Sequence, residues 1–234
     1  MIFYRIFGIS CNIIMKTYFI SGIAADGRIF RHIHLPAGFE PVYLNWIKPL
    51  QDESLENYAV RLAEKIDKEE PFILIGNSLG GIVATEIALK YNPVAVIIIA
   101  SVPVISQLPG YFRIAEKIKL YKIIPASLYK ISAKVKHRFT REEREDKKII
   151  IRMLHETDTS FIQWGIQAVL TWRNRQIPKS LYHIQGTRDQ MFPYTFTSPT
   201  HTISKGDDMI VVTRAEEVNK ILAEIFFTLD FNSL

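Results

Sequence analysis

Pro71-Phe72-Ile73-Leu74-Ile75-Gly76-Asn77-Ser78-Leu79-Gly80-Gly81 sets out, in eleven residues, an apolar strand, a sharp turn carrying one serine, and the start of a helix. Gly76 to Gly80 is a G-x-S-x-G pattern in the setting that gives it meaning, with a strand before and a helix after. In that setting the turn is strained and lifts the serine hydroxyl above the end of a parallel sheet. Glycines suit positions 76 and 80 because a side chain there would collide with the neighbouring strand or helix. The N–H groups that open the following helix favour negative charge in front of the turn. The competing reading is a glycine-rich phosphate loop, and these glycines do not follow dinucleotide spacing.

Outward from this turn, strand and helix signals alternate, which predicts a parallel sheet with helices on both faces. Strands are expected at Thr17–Ser21, Pro41–Asn45, Phe72–Ile75 and Val94–Ala100, the last being the most hydrophobic and so the expected sheet centre. Leu55, Tyr58, Leu62 and Ile66 recur at helical spacing within Ser54–Asp67, with Asp52 or Ser54 as the cap. The helix after Ser78 should run to about Tyr91, where Asn92-Pro93 stops it. Alternation then ceases. Residues 106–178 give helical patterns only, at Tyr111–Tyr121, Ala126–Val135, Glu142–Glu156 and Phe161–Thr171. It resumes with strands at Ser180–Gln185 and His201–Ile203 and a final helix from Met209 to Phe227. This organisation divides the chain into a hydrophobic N-terminal extension at 1–14, a core formed by 15–105 and 179–234, and a helical cap at 106–178.

A chain of 234 residues suits one α/β domain with a cap. The single cysteine, Cys11, excludes an internal disulfide framework. Residues 1–14 are apolar but interrupted by Arg5 and Asn12, too short to span a membrane and poor as a secretory signal, so the expected location is cytoplasmic. The net charge is +5, yet residues 106–178 hold 15 Lys/Arg against 7 Asp/Glu, leaving the rest of the chain at −3. A basic cap over an acidic body has two readings, a solvated helical face or a weak contact with an anionic membrane surface. No repeat, metal-ligand spacing or nucleic-acid motif is present, so neither a metal nor a nucleic-acid partner is expected.

Four local patterns now resemble the α/β-hydrolase superfamily, specifically small bacterial esterase-like members with a helical cap, over Thr17 to Phe227. They are Tyr18-Phe-Ile-Ser-Gly22-Ile23-Ala24, the Gly76–Gly81 turn, Ile184-Gln-Gly186-Thr-Arg-Asp189-Gln-Met-Phe192-Pro193, and Ile203-Ser-Lys-Gly206-Asp207-Asp208-Met209-Ile210. The resemblance implies an ester or thioester hydrolase acting on a small-molecule acyl substrate and needing no cofactor. It implies Ser78 as nucleophile, Asp189 as the acid that orients the base, and the backbone N–H groups of Ile23 and Leu79 as the oxyanion hole. A carboxylate at a strand tip does suit holding a histidine in one tautomer, though turn chemistry alone also favours an aspartate in Gly-Thr-Arg-Asp.

The base departs from the pattern. Where the family places a histidine before the last helix, the alignment puts Asp207, with Asp208 beside it. An ordinary aspartate, with a reference pKa of about 3.9, is a poor acceptor for a hydroxyl proton at neutral pH. His201 should start a strand at the far sheet edge, and at about 3.3 Å per residue it is too distant from Ser78. His183 falls inside a strand, His32 and His34 follow the Ile23 loop at the mouth of the site, and His155 lies in the cap and is the one candidate to test. Two readings stay open: a serine hydrolase whose base comes from elsewhere, and a catalytically impaired hydrolase fold that binds a ligand or partner.

Overall fold

Phe72–Asn77 is buried at every position, as a strand covered by helices on both faces must be, and it forms β5 of a six-stranded sheet. The computed structural model describes residues 14–123 and 143–229, and the strand backbones at 5–6 and 9–10. Those two short strands, β1 (Arg5–Ile6) and β2 (Ile9–Ser10), pair antiparallel. The sheet proper contains β3 (Met15–Ile20), β4 (Phe39–Leu44), β5, β6 (Ala95–Ile99), β7 (Leu181–Gly186) and β8 (His201–Ile203). All its described pairings are parallel, in the order β4-β3-β5-β6-β7-β8, which puts β5 and β6 together at the centre.

Two apolar layers cover the faces. On one, α1 (Leu55–Leu62) and α2 (Leu79–Tyr91) pack against Leu74, Val96 and Ile98. Ser54 is the cap of α1, its hydroxyl accepting from the Asn57 N–H at 3.2 Å, and a 3-10 turn at Ala63–Lys65 replaces the expected last helical turn. Asn92 ends α2 in the left-handed conformation (φ 46°), one residue before the proline.

Between β6 and β7 the described chain is helical: α3 (Gly110–Lys117), α4 (Leu120–Ile123), α5 (Arg144–Glu156) and α6 (Thr159–Thr171). The expected helix at Tyr111–Tyr121 breaks at Lys119, whose φ is 51°. The expected helix Ala126–Val135 lies outside the described residues. The expected terminal helix is two, α7 (Ile210–Thr213) and α8 (Ala215–Thr228), divided at Arg214 (φ −138°, ψ 32°). Buried Val218, Leu222, Ile225 and Phe226 of α8 fill the second apolar layer with Ile73, Ile75 and Ile97.

Specific polar contacts hold α5 and α6 over the carboxyl ends of the strands. Trp164 packs against Tyr58 with ring centroids 4.1 Å apart and planes tilted by 34°, and donates to the Glu53 carbonyl at 2.9 Å. Trp172 donates to Glu86 at 2.7 Å. Asp146 of α5 is buried and meets Arg31 at 2.9 Å and His32 at 3.0 Å, while Arg28 bridges Asp26 and Glu156. No helix among the described residues is long and apolar enough to cross a membrane.

Candidate active site

Ser78 sits between β5 and α2 with φ 53° and ψ −121°, a conformation that L-residues avoid unless the surroundings enforce it. The surroundings do so at three points. The Ser78 N–H donates to the Ile99 carbonyl at 3.0 Å, the buried Ser101 hydroxyl donates to the Ser78 carbonyl at 2.7 Å, and Gly81 N–H donates to that carbonyl at 2.9 Å. The flanking glycines are steric necessities. A Cβ on Gly76 would lie 2.3 Å from the Gly80 carbonyl oxygen, and one on Gly80 would lie 2.1 Å from that of Ile20.

The first N–H groups of α2, at Leu79 and Gly80, precede its first backbone bond and face the same end of the sheet as Ile23. Gly22 lets the Ile23 loop close on the serine, since a Cβ there would sit 3.2 Å from Ser78 Cβ. Gly165 of α6 performs the same service from above. A Cβ on it would lie 2.8 Å from Ile23 Cδ1 and 3.2 Å from Leu79 Cδ2. So α6 rests directly on the side chains of Ile23 and Leu79.

Beneath these helices lies a cavity of about 810 Å³. Its wall is largely apolar, with Ile29, Phe112, Leu120, Ile150, Met153, Leu154, Ile166, Val169, Leu170 and Phe192 among its residues, and it includes Ser78, Asn77, Gln190 and Asp208. No lysine, arginine or histidine of the described residues lines it.

Asp189 is 4 % exposed at the tip of the loop after β7. One oxygen accepts from the Met191 and Phe192 N–H groups, each at 2.8 Å, and the other accepts from Gln185 Nε2 at 2.9 Å. Burial pushes its carboxyl up to about 6, the Phe192 bond opposes the rise, and the nearby Asp208 charge adds to it. Gln185 was not singled out in the sequence, although a glutamine at a buried position of β7 is itself a signal. Its Nε2 also donates to the Phe192 carbonyl at 2.6 Å, which leaves Oε1 to accept from His183 Nε2 at 3.1 Å. That bond assigns the proton of His183 to Nε2. Burial pushes this imidazole down to about 4, so it is neutral at pH 7.

The loops after β7 and β8 cross in close contact. A Cβ on Gly186 would lie 2.4 Å from the Gly206 carbonyl, and Arg188 N–H donates to that same oxygen at 2.7 Å. The crossing orients the two adjacent aspartates differently. Asp207 turns back on the chain, one oxygen accepting from Met209 N–H and Thr213 Oγ1, both at 2.9 Å. Asp208 lines the cavity with Ser78 and lies close enough to Asp189 to raise its carboxyl. The alignment put Asp207 where a histidine was due, and in space it is Asp208 that faces Ser78's cavity.

None of the five weighed histidines lines that cavity. His155 is exposed, because the face of α5 turned inward carries Ile150, Met153 and Leu154. His32 meets Asp146, His34 is exposed, His183 is enclosed behind Gln185, and His201 lies at the start of edge strand β8 with Nδ1 2.8 Å from Thr200 Oγ1. His137, not weighed from sequence, lies outside the described residues.

Residues 19–218 match the alpha/beta hydrolase family. The chain belongs to that family. No curated protein sequence matches it. Among solved structures, this family member is similar to a hydrolase from Pseudomonas aeruginosa at 15 % identity and TM-score 0.70, over 91 % of this chain and 89 % of that one. It is also similar to an esterase from Thermogutta terrifontis at 13 % identity and TM-score 0.68, over 92 % and 90 %. A non-heme bromoperoxidase from Mycobacterium tuberculosis, designated putative, aligns at 14 % identity and TM-score 0.68, over 92 % and 93 %. At these identities the likeness is one of fold.

Proposed function

We propose that this alpha/beta hydrolase family member binds a carboxylic ester or thioester with an apolar acyl part beneath a helical cap, and that Ser78 attacks its carbonyl slowly, with no imidazole among the described residues to take the hydroxyl proton. One observation carries this reading: Ser78 and the carboxylate of Asp208, and no described histidine, share a largely apolar cavity. In the proposed step Ser78 Oγ adds to the carbonyl carbon as its proton passes to the Asp208 carboxylate, the N–H groups of Leu79 and Ile23 receive the oxygen that becomes negative, and collapse of this adduct breaks the acyl C–O or C–S bond, expelling the alcohol or thiol with that proton and leaving an acyl-serine. Such donors are worth about 3–4 kcal/mol each in a serine hydrolase. Asp208 is a weak acceptor for the serine proton, and loss of the imidazole from such a site costs on the order of 10⁴-fold in rate. The residual rate then comes from the oxyanion donors and from substrate positioning.

A second reading, a binding module without turnover, is favoured by Gln185. Its amide already bonds the Asp189 oxygen that an orienting acid would offer to a base. A fluorophosphonate probe separates the readings when applied to the wild type, Ser78→Ala and Asp208→His. The expected result is slow labelling of the wild type, none of Ser78→Ala, and acceleration of about 10²-fold or more in Asp208→His. Wild-type labelling as fast as that of Asp208→His overturns the impaired base, and His137→Ala then tests the histidine outside the described residues. If neither the wild type nor Asp208→His labels, the binding reading replaces the hydrolase reading.

A further inference from the structure

Among the described helices of eight residues or more, α3 is the one with no buried residue. It nonetheless turns apolar side chains outward. Tyr111, Ile114 and Ile118, the last closing the helix, are 53 %, 62 % and 54 % exposed. Spacings of three and four place them on one stripe. Single exposed apolar residues are ordinary, whereas a stripe of three is a patch. The charge beside it is basic. Arg113 and Lys117, both exposed, stand one turn apart along its edge. Residues 110–123 add Lys119 and Lys122 and hold one acid, Glu116, which pairs with Arg173. Like charges four apart on a helix repel, and an anionic surface in front of them relieves that cost. The other face of α3 leads to Ser78. Phe112 lines the Ser78 cavity and stacks on Phe192 with centroids 6.2 Å apart. Met191 lines the same cavity and is 42 % exposed, so the cavity reaches the surface beside α3.

We propose that α3 docks this protein on a lipid surface bearing anionic headgroups. Tyr111, Ile114 and Ile118 enter the headgroup layer, Arg113 and Lys117 meet its charge, and the apolar acyl part of the substrate passes from the lipid into the Ser78 cavity. The proposal rests on that cavity being the acyl site, and it names where the substrate resides. An apolar stripe beside basic residues suits a helix lying in the plane of such an interface, and a tyrosine ring suits the boundary between its wet and apolar layers. An acidic protein would match the charges alone. A lipid matches the charges, the stripe and the apolar cavity behind it.

The test sediments the full chain with vesicles of phosphatidylcholine alone and of phosphatidylcholine with about 30 % phosphatidylglycerol. The wild type should bind the anionic vesicles about tenfold more tightly or better, and salt at about 0.5 M should remove most of that advantage. Ile114→Ser with Ile118→Ser should lower binding about tenfold or more, and Arg113→Gln with Lys117→Gln should cut the anionic preference about threefold or more. These four residues are exposed and lie outside the cavity wall, so urea midpoints and labelling by a water-soluble fluorophosphonate should match the wild type. A hexadecyl fluorophosphonate carried in the anionic vesicles should label the wild type about fivefold faster than the isoleucine double variant. A wild type without preference for anionic vesicles, or binding that survives the isoleucine substitutions, overturns the docking face. Failure to bind vesicles, together with wild-type dimers that the same substitutions dissociate, assigns the stripe to a second copy of the chain instead. Equal labelling by the vesicle-borne probe overturns passage of the substrate from the lipid. If neither probe labels the wild type, the hydrolase reading falls and sedimentation alone decides the docking.

Discussion

The site has two halves built to the same mechanical standard and carrying different chemistry. In the half around Ser78, β5, the turn and α2 meet backbone to backbone, with glycines at the points of closest approach. In the half around Asp189, the loops after β7 and β8 also touch backbone to backbone, Gly186 against Gly206. The first half presents Ser78 at the head of α2, whereas the second presents two carboxylates and a buried glutamine. The two halves therefore share a tightly packed backbone frame and differ in the side chains it carries. This follows from the sterics: a Cβ at Gly80 or Gly186 would displace backbone, whereas position 208 lines the cavity with a side chain.

The largest effect should come from breaking the frame of the serine half. Gly80→Ala places a Cβ 2.1 Å from the Ile20 carbonyl and 2.3 Å from that of Ser21, both on the strand–loop that leads to Ile23. Loss of more than about 4 kcal/mol is expected, read as a collapse of the urea midpoint or failure to fold. Gly110→Ala is the matched control, since nothing lies within 4 Å of its Cβ, and it should be neutral or slightly stabilising. Equal midpoints for the two variants would refute the steric account.

The carboxylate half should be exposed by pH, because its buried groups titrate and a glycine frame does not. Asp189 rises from 3.8 unfolded to about 6 folded, so the native state holds the extra proton between those values. Its contribution is full below about 4 and lost as pH rises through about 6. His183 falls from 6.5 to about 4, so its contribution is full above 6.5 and lost as pH drops toward 4. Each is on the order of 3 kcal/mol, the signs are opposite and the windows overlap, and the two groups are linked through Gln185. The wild type should therefore show a nearly flat stability profile from pH 4 to 6.5. Asp189→Asn should uncover stability that rises with pH, and His183→Leu stability that falls with it, in urea titrations across the range. Parallel profiles for the two variants would show that the groups do not titrate as this environment requires.

The halves also differ in how far they were legible in the sequence. Strand, serine turn and helix are contiguous, and their periodicities and glycines announce the geometry within eleven residues. The Asp189 loop was legible by its spacing from β7. The register of Asp207 and Asp208 was not, since a loop has no period and the direction of a side chain depends on Gly186 crossing Gly206, some twenty residues apart. His155 misled for a related reason. It shares α5 with Met153 and Leu154, and only the packing of α5 on the core decides which of these faces inward. The breaks at Lys119 and Arg214 carry no glycine or proline, so local sequence does not mark them.

The smallest effect draws the finest distinction, between neighbours of identical chemistry. Asp207 accepts from Met209 N–H and from the Thr213 hydroxyl, so it acts as a cap for α7. Asp207→Ala should cost about 1 kcal/mol by thermal or urea unfolding and leave fluorophosphonate labelling of Ser78 unchanged. Asp208→Ala should do the reverse. Removing its charge relieves Asp189, and fluorophosphonate labelling of Ser78 should slow further as the carboxylate in its cavity is lost. The two substitutions delete the same atoms one residue apart, so neither composition nor net charge can account for a difference between them. Only the direction each side chain takes after the loop crossing remains, and identical behaviour of the two variants would remove the case for Asp208, rather than Asp207, as the group facing Ser78's cavity.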